Sequence, residues 1–248
     1  MNYVEYGKEN SDVIILLHGG GLSWWNYKEV AERLQTDYHV VLPILDGHAG
    51  CDKQFTTIEN NALDIIEFVN SKLGGSVLMM GGLSLGGQIL LEILSQRKDI
   101  CKYAIVESVL VIPSKFTYSM IKPAFGRCYG LIKYNWFSKL QFKSLRIKSN
   151  LFDEYYKDTC AIRKSDMIAF LQENSVYSLK DGIGECEATV QIYVGEKEKQ
   201  LMKKSAKIIH EKLQDSFIQV LPNMYHGEFS INYADDYVRK LLEIVKRR

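Results

Sequence analysis

The residues best placed to do chemistry are Gly82-Leu83-Ser84-Leu85-Gly86, where a serine sits between two glycines in a G-x-S-x-G spacing. Residues 76–80 before it read as a buried strand, and residues 85–94 after it as a helix. The serine therefore falls on a sharp strand-to-helix turn, which strains its backbone and exposes its hydroxyl as a potential nucleophile. Gly82 and Gly86 leave room where strand and helix approach, and Gly81 and Gly87 relax the packing further. The helix also aims its first amides at the place where negative charge would develop. The plainer alternative is a glycine-rich turn with an incidental N-capping serine.

A tetrahedral intermediate needs N–H donors for its oxyanion, and His18-Gly19-Gly20-Gly21 after the first strand can supply one without a Cβ in the way. The expected pair is the amides of Leu85 and Gly20, with Gly21 the second choice for the loop donor. His18 is expected to hold the loop's shape by hydrogen bonding. No second ligand lies at metal spacing nearby, so no metal is expected. Trp24 and Trp25, with Tyr27, are candidates either to line the acyl side of a substrate pocket or to pack the first helix.

A hydroxyl needs a neighbouring base. Of the five histidines, His39 leads into a strand, His48 lies in a loop and His210 within a helix. His226 follows the strand-like run 217–221 and precedes the last helix, so it occupies a loop at a strand's C-terminal end, where α/β sheets place their sites. It is the expected general base. A carboxylate should orient it from the loop after the strand 189–194. That loop, Gly195-Glu196-Lys197-Glu198-Lys199, has no aspartate. Glu198 is the first choice, Glu196 the second, and Glu107, after the run 103–106, a third.

The elements that must position these groups alternate. Apolar runs at 13–17, 40–45, 76–80, 103–106, 189–194 and 217–221 are short and rich in Val, Ile and Leu, as strands covered on both faces are. Helical patterns lie between them at 27–34, 85–96, 202–213 and 233–245. Another begins at a Thr56–Glu59 capping box and runs to about Lys72. Lys246, Arg247 and Arg248 suit the end of the last helix, where cations favour the dipole. This order implies β-α-β units and a mostly parallel sheet. Residues 108–187 lack a convincing strand and hold 13 of the 28 aromatic residues. They read as a helical cap inserted between core segments 1–107 and 188–248, or else as extra core helices. Lys139, Lys143, Arg146 and Lys148 read as a solvated helix face; steering of an anionic substrate is the other reading.

A net charge of +1, from 31 basic and 30 acidic residues, gives no reason to expect a nucleic-acid partner. Five cysteines without a CxxC pair fit a reducing compartment better than a disulfide framework. The segment MNYVEYGKENSD lacks the apolar core of a signal peptide, and no run reaches the roughly 18 apolar residues that span a bilayer. A cytoplasmic protein acting on a small molecule, with no cofactor, is expected; oligomeric state is silent.

Together these residues resemble the α/β-hydrolase superfamily. The marks are HGGG after the first strand, DGHAGCD after the second, GGLSLGG at the turn, GEKEK, and the late histidine. Asp46-Gly47-His48-Ala49-Gly50 is similar to the family's D-x-x-G-x-G-x-S loop, with Cys51 near the usual serine. The resemblance implies an α/β fold with a mostly parallel sheet of about eight strands flanked by helices, plus an inserted helical cap. It also implies the order nucleophile, acid, base for Ser84, Glu198 and His226, with glutamate where aspartate is commoner. The expected activity is that of a serine hydrolase cleaving a small or medium carboxylic ester through an acyl-enzyme. The same site also suits C–C bond hydrolysis, lyase, perhydrolase or acyl-transfer chemistry, and the same fold suits a non-catalytic small-molecule receptor.

Overall fold

A computed structural model of the chain describes residues 1–246; the expected helix-end cations Arg247 and Arg248 lie outside the described residues. The chain runs β1 (Asn2–Tyr6), β2 (Val13–Leu17), a 3₁₀ turn (Trp24–Tyr27), α1 (Lys28–Leu34), β3 (His39–Ile44), α2 (Ile58–Lys72), β4 (Val77–Leu83), α3 (Leu85–Gln96) and β5 (Cys101–Glu107). Four helices follow without a strand: α4 (Lys115–Cys128), α5 (Asn135–Ser144), α6 (Phe152–Ala161) and α7 (Lys164–Val176). The chain ends with β6 (Thr189–Gly195), α8 (Gln200–Lys212), β7 (Ser216–Leu221), α9 (Glu228–Asn232) and α10 (Ala234–Val245).

The seven strands among the described residues form one mostly parallel sheet in the order β1-β3-β2-β4-β5-β6-β7, in keeping with the expected sheet of about eight. Every pairing is parallel except β1 with β3. Alternation along the strands explains their unbroken apolar runs. In β2, Ile14 and Leu16 pack on one face with Val30, Ala31 and Leu34 of α1 and Tyr237 and Leu241 of α10. Ile15 and Leu17 pack on the other, with Ile58, Ala62 and Ile65 of α2 and Leu90 of α3. Both faces are buried, so neither carries polar residues at period two.

The chain leaves β2 for β3 on one side and returns to β4 on the other, so the strand order reverses between β2 and β4. A crevice opens at such a switch point. The α2 cap falls one residue later than expected: Thr57, extended at φ −138° and ψ 163°, accepts the Asn60 N–H at 3.1 Å, while Thr56 bonds only the Asn60 side chain.

Helices α4–α7 lie between β5 and β6. Met167 and Phe170 of α7 join the core on the α2–α3 side, whereas Phe142 of α5 and Tyr155 of α6 join the opposite cluster. Hydrogen bonds fasten this region to the sheet's surroundings; among them, Trp25 Nε1–H donates to Asp158 Oδ2 at 2.9 Å, and the Phe55 N–H to Asp166 Oδ1 at 3.1 Å.

Candidate active site

β4 runs on through Gly81 and Gly82 to Leu83, and α3 starts at Leu85, so Ser84 is the single residue of the turn. Its φ of +51° with ψ of −112° lies where non-glycine residues are strained. Surrounding structure enforces this. The Ser84 N–H donates to the Glu107 carbonyl at 2.9 Å, and the first turn of α3 presses so close to β2 that a Cβ on Gly86 would overlap the Leu17 and His18 carbonyl oxygens. The Ser84 side chain caps nothing, leaving its hydroxyl available.

In the His18–Gly21 loop the amides have different employments. Gly19 N–H donates to Asn26 Oδ1 at 3.2 Å, and Gly21 N–H to His48 Nε2 at 3.0 Å. Among the described residues the Gly20 N–H has no acceptor, unlike that of Gly21. The Leu85 N–H, first in α3, belongs to the turn whose amides have no intrahelical partner.

Two histidines hold this loop as neutral imidazoles. His18 Nδ1–H donates to the Gly19 carbonyl at 2.9 Å, and its Nε2 accepts the Leu45 N–H at 3.2 Å, as expected of a loop-holding residue. His48 Nδ1–H donates to the Asp46 carbonyl at 3.0 Å, leaving Nε2 to accept from Gly21. Burial, then the neighbouring His48, pushes His18 down to about 3; burial pushes His48 down to about 4. His48 also stacks on Phe170, centroids 4.7 Å apart. The DGHAG segment thus buttresses the glycine loop.

Of the three candidate acids, only Glu198 meets His226: its Oε2 accepts Nδ1–H at 2.9 Å. Its Oε1 takes the Ser108 hydroxyl at 2.8 Å and the Gly195 N–H at 2.7 Å. Burial opposes ionisation of Glu198, but the His226 imidazole, the Gly195 amide and the Ser108 hydroxyl hold it below the ordinary carboxylate range. Glu196 instead accepts the Asn223 N–H at 2.8 Å, and Glu107 the Ser230 N–H at 3.3 Å. Glu107 lies in a buried cluster with Tyr27, Tyr237 and Ser230, and burial pushes its carboxyl up to about 7.

Ser84 and His226 line one cavity of about 120 Å³, with Gly20, Leu145 and Ile147. A second, about 190 Å³, shares Gly20, Leu22 and Leu145 with it and is walled by Phe125, Ile132 and Phe170. A third, about 540 Å³, lies beyond His226. Neither tryptophan candidate lines the Ser84 cavity. Trp25 is buried against α1 and bonded to Asp158, and Trp24 packs on the same cluster. Sequence reading missed Ser108, which follows β5 directly, and gave His48 only a loop position. Among the described residues no group of three or more His, Cys, Asp or Glu is arranged to hold a metal ion, and no helix is long and apolar enough to cross a membrane.

Structural comparison finds the same fold in proteins of very different sequence. An esterase from Thermogutta terrifontis aligns with TM-score 0.79 at 16% identity, over 98% of this chain and 93% of that one. An enol-lactonase from Burkholderia xenovorans LB400 gives 0.81 at 12%, over 99% and 96%. A bromoperoxidase from Bacillus anthracis gives 0.83 at 14%, over 98% and 94%. At such identities the likeness is one of fold. A search among curated proteins by sequence gave no match. The family model described as the alpha/beta hydrolase family matches residues 14–215. With most of its length so matched, the chain belongs to the alpha/beta hydrolase family.

Proposed function

We propose that the protein is a serine hydrolase that cleaves a small or medium carboxylic ester through an acyl-enzyme, with Ser84 as nucleophile, His226 as general base and Glu198 as its acid partner. The observation that carries this reading is the His226 Nδ1–Glu198 Oε2 bond at 2.9 Å, in a histidine that lines one cavity with Ser84. Glu198 fixes the tautomer that leaves Nε2 free to accept a proton.

Ser84 Oγ attacks the ester carbonyl and its proton passes to His226. The amides of Gly20 and Leu85 hold the oxyanion. The intermediate collapses, and the leaving alcohol takes the proton from His226. Water, deprotonated by the same imidazole, then attacks the acyl-enzyme and releases the acid. The core segments 1–107 and 188–248 supply this machinery without a cofactor, and residues 108–187 act as a cap whose apolar walls receive the acyl chain.

Purified protein is expected to release p-nitrophenol from a short-chain ester, and Ser84→Ala to lower kcat by several orders of magnitude. Unchanged turnover in that variant would remove Ser84 from the mechanism. Labelling by a fluorophosphonate without any ester turnover would move the reading to other chemistry at the same site.

A further inference from the structure

The cavity of about 540 Å³ beyond His226 is lined by Arg146, Lys197 and Lys199. The only carboxylate in its wall is Glu198, whose side chain is buried and committed to His226. None of the three cations has a carboxylate partner among the described residues, in a chain whose net charge is only +1. Burial is not what brings them there, since all three are exposed.

Arg146 is moreover set in place. It follows α5 with φ of +56°, a strained value for a non-glycine residue. Asn232 clamps its loop from both sides: Nδ2–H donates to the Arg146 carbonyl at 2.7 Å, and Oδ1 accepts the Lys148 N–H at 3.0 Å. Asn232 ends α9, the helix that starts two residues after His226. The guanidinium lies 3.6 Å from the Tyr225 ring centroid, stacked on the residue next to His226. A planar cation with its face supported and its edge free suits bidentate recognition of an anion.

Leu145 borders all three cavities, so they adjoin one another. The apolar 190 Å³ cavity lies on the Gly20 side, and the cationic one on the His226 side. Because the imidazole must protonate the departing oxygen, its side is the alcohol side. We propose that the cavity lined by Arg146, Lys197 and Lys199 is an anion subsite for the alcohol portion of the substrate. The substrate class is then an ester between an apolar acid and an alcohol that carries a carboxylate or phosphate. This rests on the hydrolase reading above.

Two matched esters test it: 4-(butanoyloxy)benzoate and its neutral methyl ester, each enzymatic rate divided by that ester's uncatalysed hydrolysis. The normalised kcat/KM should favour the anionic ester at least tenfold. Arg146→Gln should remove most of the preference, chiefly through KM, and added salt should erode it. Lys102→Gln, at the opposite end of the sheet, should leave it intact. Binding is read separately, by calorimetry on Ser84→Ala protein with 4-hydroxybenzoate against methyl 4-hydroxybenzoate. There too the anion should bind at least tenfold tighter, and the Arg146→Gln change should narrow the gap. Tighter binding still by 4-hydroxyphenyl phosphate would assign the anion as phosphate. Failure to cleave either ester, with the binding gap present, would overturn the hydrolase reading alone. Equal binding of acid and methyl ester, or a gap unmoved by Arg146→Gln, would overturn the subsite.

Discussion

The Ser108 hydroxyl donates to Glu198 Oε1 at 2.8 Å, joining the residue after β5 to the loop after β6. Ser108 also has φ of +55° and offers its oxygen to the Gly227 N–H at 3.4 Å, so it links the acid loop to the chain beside His226. Ser108→Ala is expected to leave the Glu198 carboxylate one donor short and the imidazole less firmly oriented. The loss should be about 1–2 kcal/mol in urea unfolding, with kcat down roughly tenfold. Unaltered kcat would mean that Gly195 alone suffices to hold the acid.

His48 bears on the proposed oxyanion loop at one remove. His48→Phe keeps a ring that can stack on Phe170 but removes the acceptor for the Gly21 N–H. The half-buried amide then loses its partner, which costs on the order of 1 kcal/mol. With the loop loosened, kcat should fall roughly tenfold while KM changes little, because the oxyanion forms only in the transition state. A raised KM with kcat unchanged would place His48 in ground-state binding instead.

Strain at Ser84 has a measurable signature. Glycine normally stabilises a fold less than alanine by about 0.5–1 kcal/mol. At φ +51° and ψ −112° the order should invert, with Ser84→Gly at least as stable as Ser84→Ala in urea titrations. Both should be inactive. If alanine proves clearly the more stable, the turn carries no strain worth the name.

Glu107 should impose a pH dependence on stability. Burial raises its folded value to about 7, whereas an unfolded glutamate titrates near about 4.3. Between those values the folded state holds a proton that the unfolded state has lost. Stability from this group therefore falls as pH rises through that window and levels off above it. Glu107→Gln mimics the protonated side chain and can still accept the Ser230 N–H. Its advantage over wild type should grow from pH 5 to pH 8 by on the order of 2 kcal/mol. A difference that stays flat across that range would place the Glu107 titration outside the folded protein's acid-base behaviour.

Much of this arrangement is legible in the sequence because it is local. The strand-turn-helix around Ser84 declares itself through glycine spacing and a switch of periodicity. The runs in β2 to β6 stand out because both faces are buried. β1 escaped because an antiparallel edge strand is half exposed: in Asn2–Tyr6 no residue is fully buried, so no apolar run marks it. The choice among Glu196, Glu198 and Glu107 depended on which carboxylate faces His226 across the sheet edge, and periodicity carries no such information. The Gly20–Gly21 distinction likewise turns on His48, a loop residue 27 positions from Gly21. The tryptophans illustrate the reverse case, where aromatic residues close to the glycine loop in sequence pack into the core beside α1, Trp25 also donating to Asp158.

The parallel sheet places Leu17, Leu83, Glu107, Gly195 and Leu221 at the ends of five neighbouring strands, and each piece of the site hangs from one of those ends. No short stretch of chain holds even two of Ser84, Glu198 and His226 in register. Turnover is thereby a gauge of tertiary order: as the sheet margin frays, catalysis should vanish while most of the helical ellipticity persists.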